Sequence, residues 1–412
     1  MKNFIAHTDE IRNSMLNAIG YKSIEDLYSH LPIKIQNFNI AEPLSELEAQ
    51  RKIKSLAKKN KADYVSFVGG GVYNKFIPAA VNYAAQRCEF LTAYTPYQPE
   101  ISQGTLQIIY EYQTMISRLT GMDIANASMY DGASACAEAI LMASRIAKGK
   151  KNKVLVSNKL NPEYQKVVET YCWAHGIEVE WFDTLPENQS DYCCVLVQYP
   201  DYYGEIYNVE KLNTLLIVCA NLSALSVIMP PVEADIVVGD VQSLGISKNF
   251  GGPHAGYLAS RQEYMRQMPG RLVGRTVDAS GEQAFALTIQ TREQHIKREK
   301  ATSNICSNQS LIALQATLYL SLVGEKGFRQ AGIISANLAH ALSDKLLRKG
   351  IKTLNKNFFN EFVIEVEDAS ILLEKLKKKN ILGGIKLDNN HILVCATEMN
   401  TENDILDYIS VI

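Results

Sequence analysis

Short apolar runs recur through the middle of the chain, separated by stretches with helical spacing. KVLVS begins at Lys153, IEVEWF at Ile177, CCVLVQYP at Cys193, LLIVCAN at Leu215, ADIVVGD at Ala234 and AGYLAS at Ala255. Between the first two, Asn161-Pro162 opens a helix. Continuous Val/Ile/Leu runs divided by helices predict a mostly parallel sheet covered on both faces. Two helices are predicted ahead of it. One begins after Gly104, with Leu106, Ile109, Tyr110, Gln113 and Ile116 near one face and Gly121 as its stop. The other follows DGAS at Asp131, and Ala133, Ala135, Ala137 and Ala139 let it pack close to a sheet.

The flanks read differently. The first sixty residues are helical and polar, anchored by Leu16, Ile19 and Leu27 and punctuated by Pro32 and Pro43. Near Val65 the pattern becomes YVSFVGGGVY, a strand-like run followed by three glycines. From Gly281 to Gly324 the chain reads as helical, with a stripe of Leu311, Leu314, Leu318 and Leu322. A helix over 331–349, strands near FVIEVE and HILVCA and two short helices complete a small α+β domain. The predicted organisation is a helical arm over 1–62, a large α/β domain over 63–325 and the α+β domain over 326–412. That is the layout of pyridoxal phosphate enzymes of fold type I, the aspartate aminotransferase-like fold. A nicotinamide dehydrogenase would also alternate strands and helices. Its GxGxxG is missing, because Gly69–Gly71 lacks that spacing, and no P-loop is present.

Composition narrows the function classes. Among 412 residues, 42 Lys+Arg face 44 Asp+Glu, and the formal charge of -2 gives no field for capturing nucleic acid or an anionic membrane. The Lys-rich pieces at Arg51, Lys148 and Lys375 read as solvated helix faces or turns. No apolar run approaches the ~18 residues that span a bilayer. Asp9 and Glu10 interrupt the N-terminus before a signal-peptide core could form. The eight cysteines show no metal-ligand spacing, so no metal is expected, and reduced thiols in a cytoplasmic protein are.

Four stretches carry more than a pattern: AYTPYQPEISQGTLQIIYEYQTMI from Ala93, MYDGASACAEA from Met129, LGISKNFGGPHAGYLA from Leu244 and TREQHIKREKATSNICSNQSL from Thr291. Together they closely resemble the glycine cleavage system P-protein, in particular the N-terminal-type subunit of its two-chain form. The resemblance extends over nearly the whole chain, through HTDEIRNSMLNAIGYKSIEDLYSHLP and FFNEFVIEV. It implies an enzyme that decarboxylates glycine through pyridoxal phosphate and passes the aminomethyl group to the lipoyl arm of a carrier, the H-protein. It also implies a homologous partner subunit that carries the cofactor, in a heterodimer doubled to a heterotetramer.

In that cofactor-bearing subunit the segment resembling LGISKNFGGPH holds the Schiff-base lysine, which falls on Lys248 here. One strand earlier the partner reads DGAN, and its aspartate keeps the pyridine nitrogen protonated. This chain reads VCAN, so Val218 stands in that place. Losing such a charge-assisted hydrogen bond removes about 1.5–3 kcal/mol, and no acid in LLIVCANLSAL replaces it. Lys248 is therefore expected to be inactive, its stem packed and its head reaching water or a carboxylate. No covalent cofactor is expected on this chain.

Other residues carry two readings each. Asp131-Gly132-Ala133-Ser134 could cup a phosphate or form an ordinary N-cap. Gly69–Gly71 reads as a close backbone approach. Tyr94, Thr95, Tyr97 and Gln98, between prolines, form a rigid polar loop. The resemblance directs it to the partner's cofactor pocket, and a structural loop buried in the dimer is the other reading. Arg292, His295, Lys297 and Arg298 form a basic cluster on a predicted helix. Glu293 and Glu299 could pair within it, or Arg292 and Arg298 could contact the partner or the carrier. His254 reads as structural. The competing functions are an autonomous pyridoxal phosphate enzyme using Lys248 and a catalytically silent scaffold.

Overall fold

Consecutive side chains of a strand leave on opposite sides, and in the middle of this chain both sides are buried. In Leu215–Ala220, Val218 and Ala220 enter one apolar layer while Ile217 and Cys219 enter the other. The computed structural model describes residues 7–32, 41–91, 94–303, 305 and 307–412. Ala93, Asn304 and Cys306, within two of the stretches singled out above, lie outside the described residues.

The runs build a seven-stranded sheet. Its order is Ile124–Ala125, Gly256–Ser260, Ile236–Asp240, Leu215–Ala220, Cys194–Tyr199, Lys153–Ser157 and Glu178–Phe182. The last five strands are mutually parallel, and Gly256–Ser260 runs antiparallel to both of its neighbours. Tyr112 and Ile116 of the helix Gln103–Thr120 cover one face, with Ile312, Ala316 and Tyr319. The helices Gly132–Ile146 and Pro162–Ala174 cover the other through Ala135, Ala139, Val168 and Cys172. Gly121 ends the helix Gln103–Thr120 with φ 70°, and its N–H returns to the Ser117 carbonyl.

The helical run predicted from Gly281 is a correction. Gln283–Thr288 is a strand, paired antiparallel with Leu272–Val277. Alternation in QAFALT decides this, because Phe285 and Leu287 join Leu106, Ile109 and Val273 in a small apolar cluster. Two glutamines of the helix Gln103–Thr120 then serve the hairpin as a neighbouring strand would. Gln103 exchanges bonds of 2.8 and 2.9 Å with the Phe285 backbone, and Gln113 bonds of 2.9 and 3.1 Å with that of Val273. The helix that follows runs Ser310–Arg348 and breaks direction at Gly324. Its buried face includes Ile312, Ala313, Leu314, Ala316 and Tyr319, with Leu318 packed beside them, while Leu311 and Leu322 of the predicted stripe point to solvent.

The chain divides into two units, Met1–Ala62 and Asp63–Ile412. In the first, the helices Ile24–Leu27 and Glu46–Ala57 both start with capping boxes, Ser23 with Asp26 and Ser45 with Glu48. Within the second, a four-stranded antiparallel sheet packs Phe362, Ile364, Ile392 and Val394 against Leu346, Leu376 and Tyr408. Val65–Ser66 joins this region by pairing in parallel with Ile381–Leu382. Among the described residues, no helix is long and apolar enough to cross a membrane.

Candidate functional site

The parallel strands all end at one edge, where open α/β sheets bind ligands. A narrow polar cleft lies there, lined by Gly71, Tyr73, Asn161, Tyr164, Gln198, Asn221, Asp240 and Gln242. Its charged floor is Asp240, the last residue of Ile236–Asp240. Asp240 Oδ1 accepts the Gln242 N–H at 2.7 Å and Oδ2 accepts the Gly132 N–H at 3.1 Å. Burial pushes this carboxyl up to about 6, against the opposing pull of His254. Asp240 was legible only as an acid closing an apolar run. Sequence reasoning placed no function on it.

Gly132 opens the helix that carries DGAS, and the structure shows a capped terminus. Asp131 accepts the Ser134 N–H at 2.8 Å, and Ser134 Oγ accepts the Asp131 N–H at 3.1 Å. Asp240 takes the Gly132 N–H. A Cβ on Gly132 would collide with the Tyr164 hydroxyl, so little space stands above the terminus. Gly69–Gly71 is engaged in the same manner. The Gly70 N–H donates to Glu361 Oε1 at 2.6 Å, and the Tyr73 hydroxyl donates to Glu361 Oε2 at 2.6 Å. Burial pushes Glu361 up to about 6 as well. The Gln242 side chain brackets the Tyr73 backbone with bonds of 2.8 and 3.0 Å. A chain of hydrogen bonds therefore runs from Asp240 through Gln242 and Tyr73 to Glu361.

These residues do not fit pyridoxal phosphate. At the helix N-terminus a phosphate would meet two carboxylates, Asp131 and Asp240, which already take the Ser134 and Gly132 N–H groups. Val218 is fully buried in an apolar layer and carries no charge. Lys248 lies outside the cleft lining, in an exposed turn, and among the described residues no hydrogen bond or ion pair holds its ammonium. Two residues on, Phe250 is 99% exposed with φ 56°. His254 is half-buried, and its Nε2 has no partner among the described residues.

The YTPYQ loop and the basic segment meet. Tyr94, Tyr97 and Gln98 are exposed, and Thr95 is half-buried. Arg271 Nη2 donates to the Tyr97 hydroxyl at 2.8 Å, and the guanidinium lies 5.2 Å from the same ring's centroid. Arg271 Nε donates to Glu293 at 3.4 Å, His295 stands 3.6 Å from Glu293, and the His295 ring meets Tyr97 edge-on at 5.4 Å. Arg271 was not anticipated; its only sequence signal is a Pro-Gly turn before a strand. The predicted helix over the basic cluster is another correction. The segment is three short turns, Gln290–Arg292, Gln294–Lys297 and Arg298–Lys300, too short for intrahelical ion pairs to build a face. Arg292 is buried and donates to the carbonyls of Ile289, Met268 and Gly270 within its own chain. Arg298 is exposed. Among the described residues no cluster of three metal-ligating side chains occurs.

Residues 2–412 match the family model of the glycine cleavage system P-protein. The chain is 43% identical to a probable glycine dehydrogenase (decarboxylating) subunit 1 of Geobacillus thermodenitrificans, covering 98% of this chain and 96% of the relative. The corresponding subunit of Carboxydothermus hydrogenoformans is 44% identical, covering 99% of each chain. Among solved structures, glycine decarboxylase (P-protein) of the glycine cleavage system, in inhibitor-bound form, matches with a TM-score of 0.90 at 40% identity, over 100% of this chain and 99% of that one. A glutamate decarboxylase of Lactobacillus brevis, at 12% identity and a TM-score of 0.65 over 95% of this chain and 96% of that one, shares the fold alone.

Proposed function

The chain belongs to the glycine cleavage system P-protein family, as a subunit 1 of glycine dehydrogenase (decarboxylating), and from that premise we propose that it is the half of the enzyme that holds no cofactor. Its homologous partner carries pyridoxal phosphate, which supplies the electron sink for decarboxylation of glycine. The aminomethyl group then passes to the lipoyl arm of the H-protein. Asp240 is the observation that carries this reading: its carboxylate occupies the helix N-terminus where a cofactor phosphate would need free N–H groups.

This chain's contribution is the loop of Tyr94, Thr95, Tyr97 and Gln98. It presents aromatic faces and hydrogen-bonding groups from the surface, a combination suited to covering a small polar substrate or a cofactor ring in the partner's site. Arg298 is exposed for contact with the partner, whereas Arg292 holds its own chain together.

Reconstitution tests the reading. The chain alone should not decarboxylate glycine, and the mixture with its partner and lipoylated carrier should. Tyr97→Phe and Gln98→Ala should each lower turnover about five- to a hundredfold in complexes that assemble normally by size exclusion. Full activity from the single chain would defeat the subunit assignment. Unchanged turnover in both variants would reduce the chain to a scaffold.

A further inference from the structure

We propose that Arg271 is the positioning residue of the Tyr97 loop. The inference rests on the reading that this loop completes the partner's site. Arg271 has a preset geometry. The turn before it is fixed by Arg292 on the carbonyls of Met268 and Gly270 and by Asn126 Nδ2 on the Pro269 carbonyl at 3.0 Å. The Arg271 carbonyl itself accepts the Ala127 N–H at 2.9 Å. Its side chain is only 3% exposed. A guanidinium so placed cannot follow the loop; the loop must settle on it.

Three directed contacts orient the guanidinium and the ring. Glu293 holds Nε, the Tyr97 hydroxyl accepts from Nη2, and the cation lies within cation–π range of the same ring. Tyr97 is thereby held near its hydroxyl while 44% of its surface remains open. Nη1 is buried without a hydrogen-bond partner among the described residues. Such an orphaned donor is unfavourable in a group serving packing alone. The planar fork holds Nε on Glu293 and Nη2 on Tyr97 in one fixed geometry, which a compact ammonium does not preset. The residue acts through Tyr97 and touches no substrate.

The two-subunit enzyme tests this with Arg271→Lys, Glu293→Gln, Tyr97→Phe, Tyr97→Ala and the Arg271→Lys/Tyr97→Phe pair. Glycine turnover is normalised to assembled complex. Arg271→Lys should lower kcat roughly ten- to a hundredfold, and Glu293→Gln should lower it in the same direction, providing a second approach if the arginine variant folds poorly. The double variant should be no slower than its slower single, because both remove one contact. Losses that multiply, or full turnover in Arg271→Lys and Glu293→Gln, would overturn the proposal. If Tyr97→Ala is slow while those two are not, Arg271 is ruled out and the loop reading survives. If Tyr97→Ala is fully active, both readings fall.

Discussion

Asp240 and Gly132 lie 108 positions apart in the chain, yet the Asp240 carboxylate accepts the Gly132 N–H at 3.1 Å. This contact engages the first N–H of the helix Gly132–Ile146 with an acid that lines the cleft. The favourable charge for a helix N-terminus is negative, and here the chain supplies it from its own next-door strand. At this sheet edge the Gly132 and Ser134 N–H groups are engaged by the chain's own carboxylates.

The Asp240 contact has a pH signature. Its carboxyl is pushed up to about 6 from an ordinary value near 3.8. Between those values the folded chain holds a proton that the unfolded chain has released, so this group's contribution to stability falls as pH rises through that window. Glu361 adds a similar decline between 4.5 and about 6. Removing one group removes its share of the slope whatever the variant does to the mean. The unfolding free energy of Asp240→Asn, followed by urea titration from pH 4 to 7, should decline less steeply with pH than that of the parent chain. A steeper or identical slope would show that Asp240 titrates in its ordinary range.

Lys248 should behave as a surface residue. It occupies an exposed turn outside the cleft. Lys248→Ala should change unfolding free energy by no more than about 0.5 kcal/mol and leave glycine turnover by the two-subunit enzyme intact. Borohydride reduction of the chain with pyridoxal phosphate should label Lys248 no more than other exposed lysines, read by peptide mass mapping. Stoichiometric labelling at this one residue would restore the autonomous-enzyme reading.

Apolar periodicity revealed the sheet because its central runs are buried on both faces, which leaves a local signature. KVLVS, LLIVCA and DIVVGD all became strands of the parallel block. It was misread over 281–288: QAFALT carries the alternation of a strand, with Phe285 and Leu287 on one face, but the run is short and is fixed by pairing with Leu272–Val277 and by Gln103. The leucine stripe held in part: in the helix Ser310–Arg348, Leu314 is buried and Leu318 packs against the core, while Leu311 and Leu322 turn outward and Ala313 and Ala316 take up the close contact. Family motifs led to the YTPYQ loop and to Val218. They gave no pointer to Arg271 or Asp240, whose roles arise from contacts 174 and 108 positions away.

A buried ion pair fastens the segment that follows the three glycines. Lys75 Nζ lies 2.5 Å from Glu398 Oε2, with side chains 2% and 7% exposed. Ser335 Oγ bonds to the same carboxylate oxygen at 2.8 Å, and the Phe76 N–H donates to Glu398 Oε1 at 3.0 Å. Removing one charge leaves the other desolvated, so Lys75→Met should destabilise the chain by about 3–5 kcal/mol. The double variant Lys75→Met/Glu398→Leu should recover much of that loss. Ser335 keeps a partner in the Ala331 carbonyl at 2.9 Å, and Phe76 is exposed enough for its N–H to find water. Urea unfolding of the parent, both singles and the double completes the cycle. A double variant as unstable as Lys75→Met would mean that packing of the two stems, rather than compensation of charge, holds this segment in place.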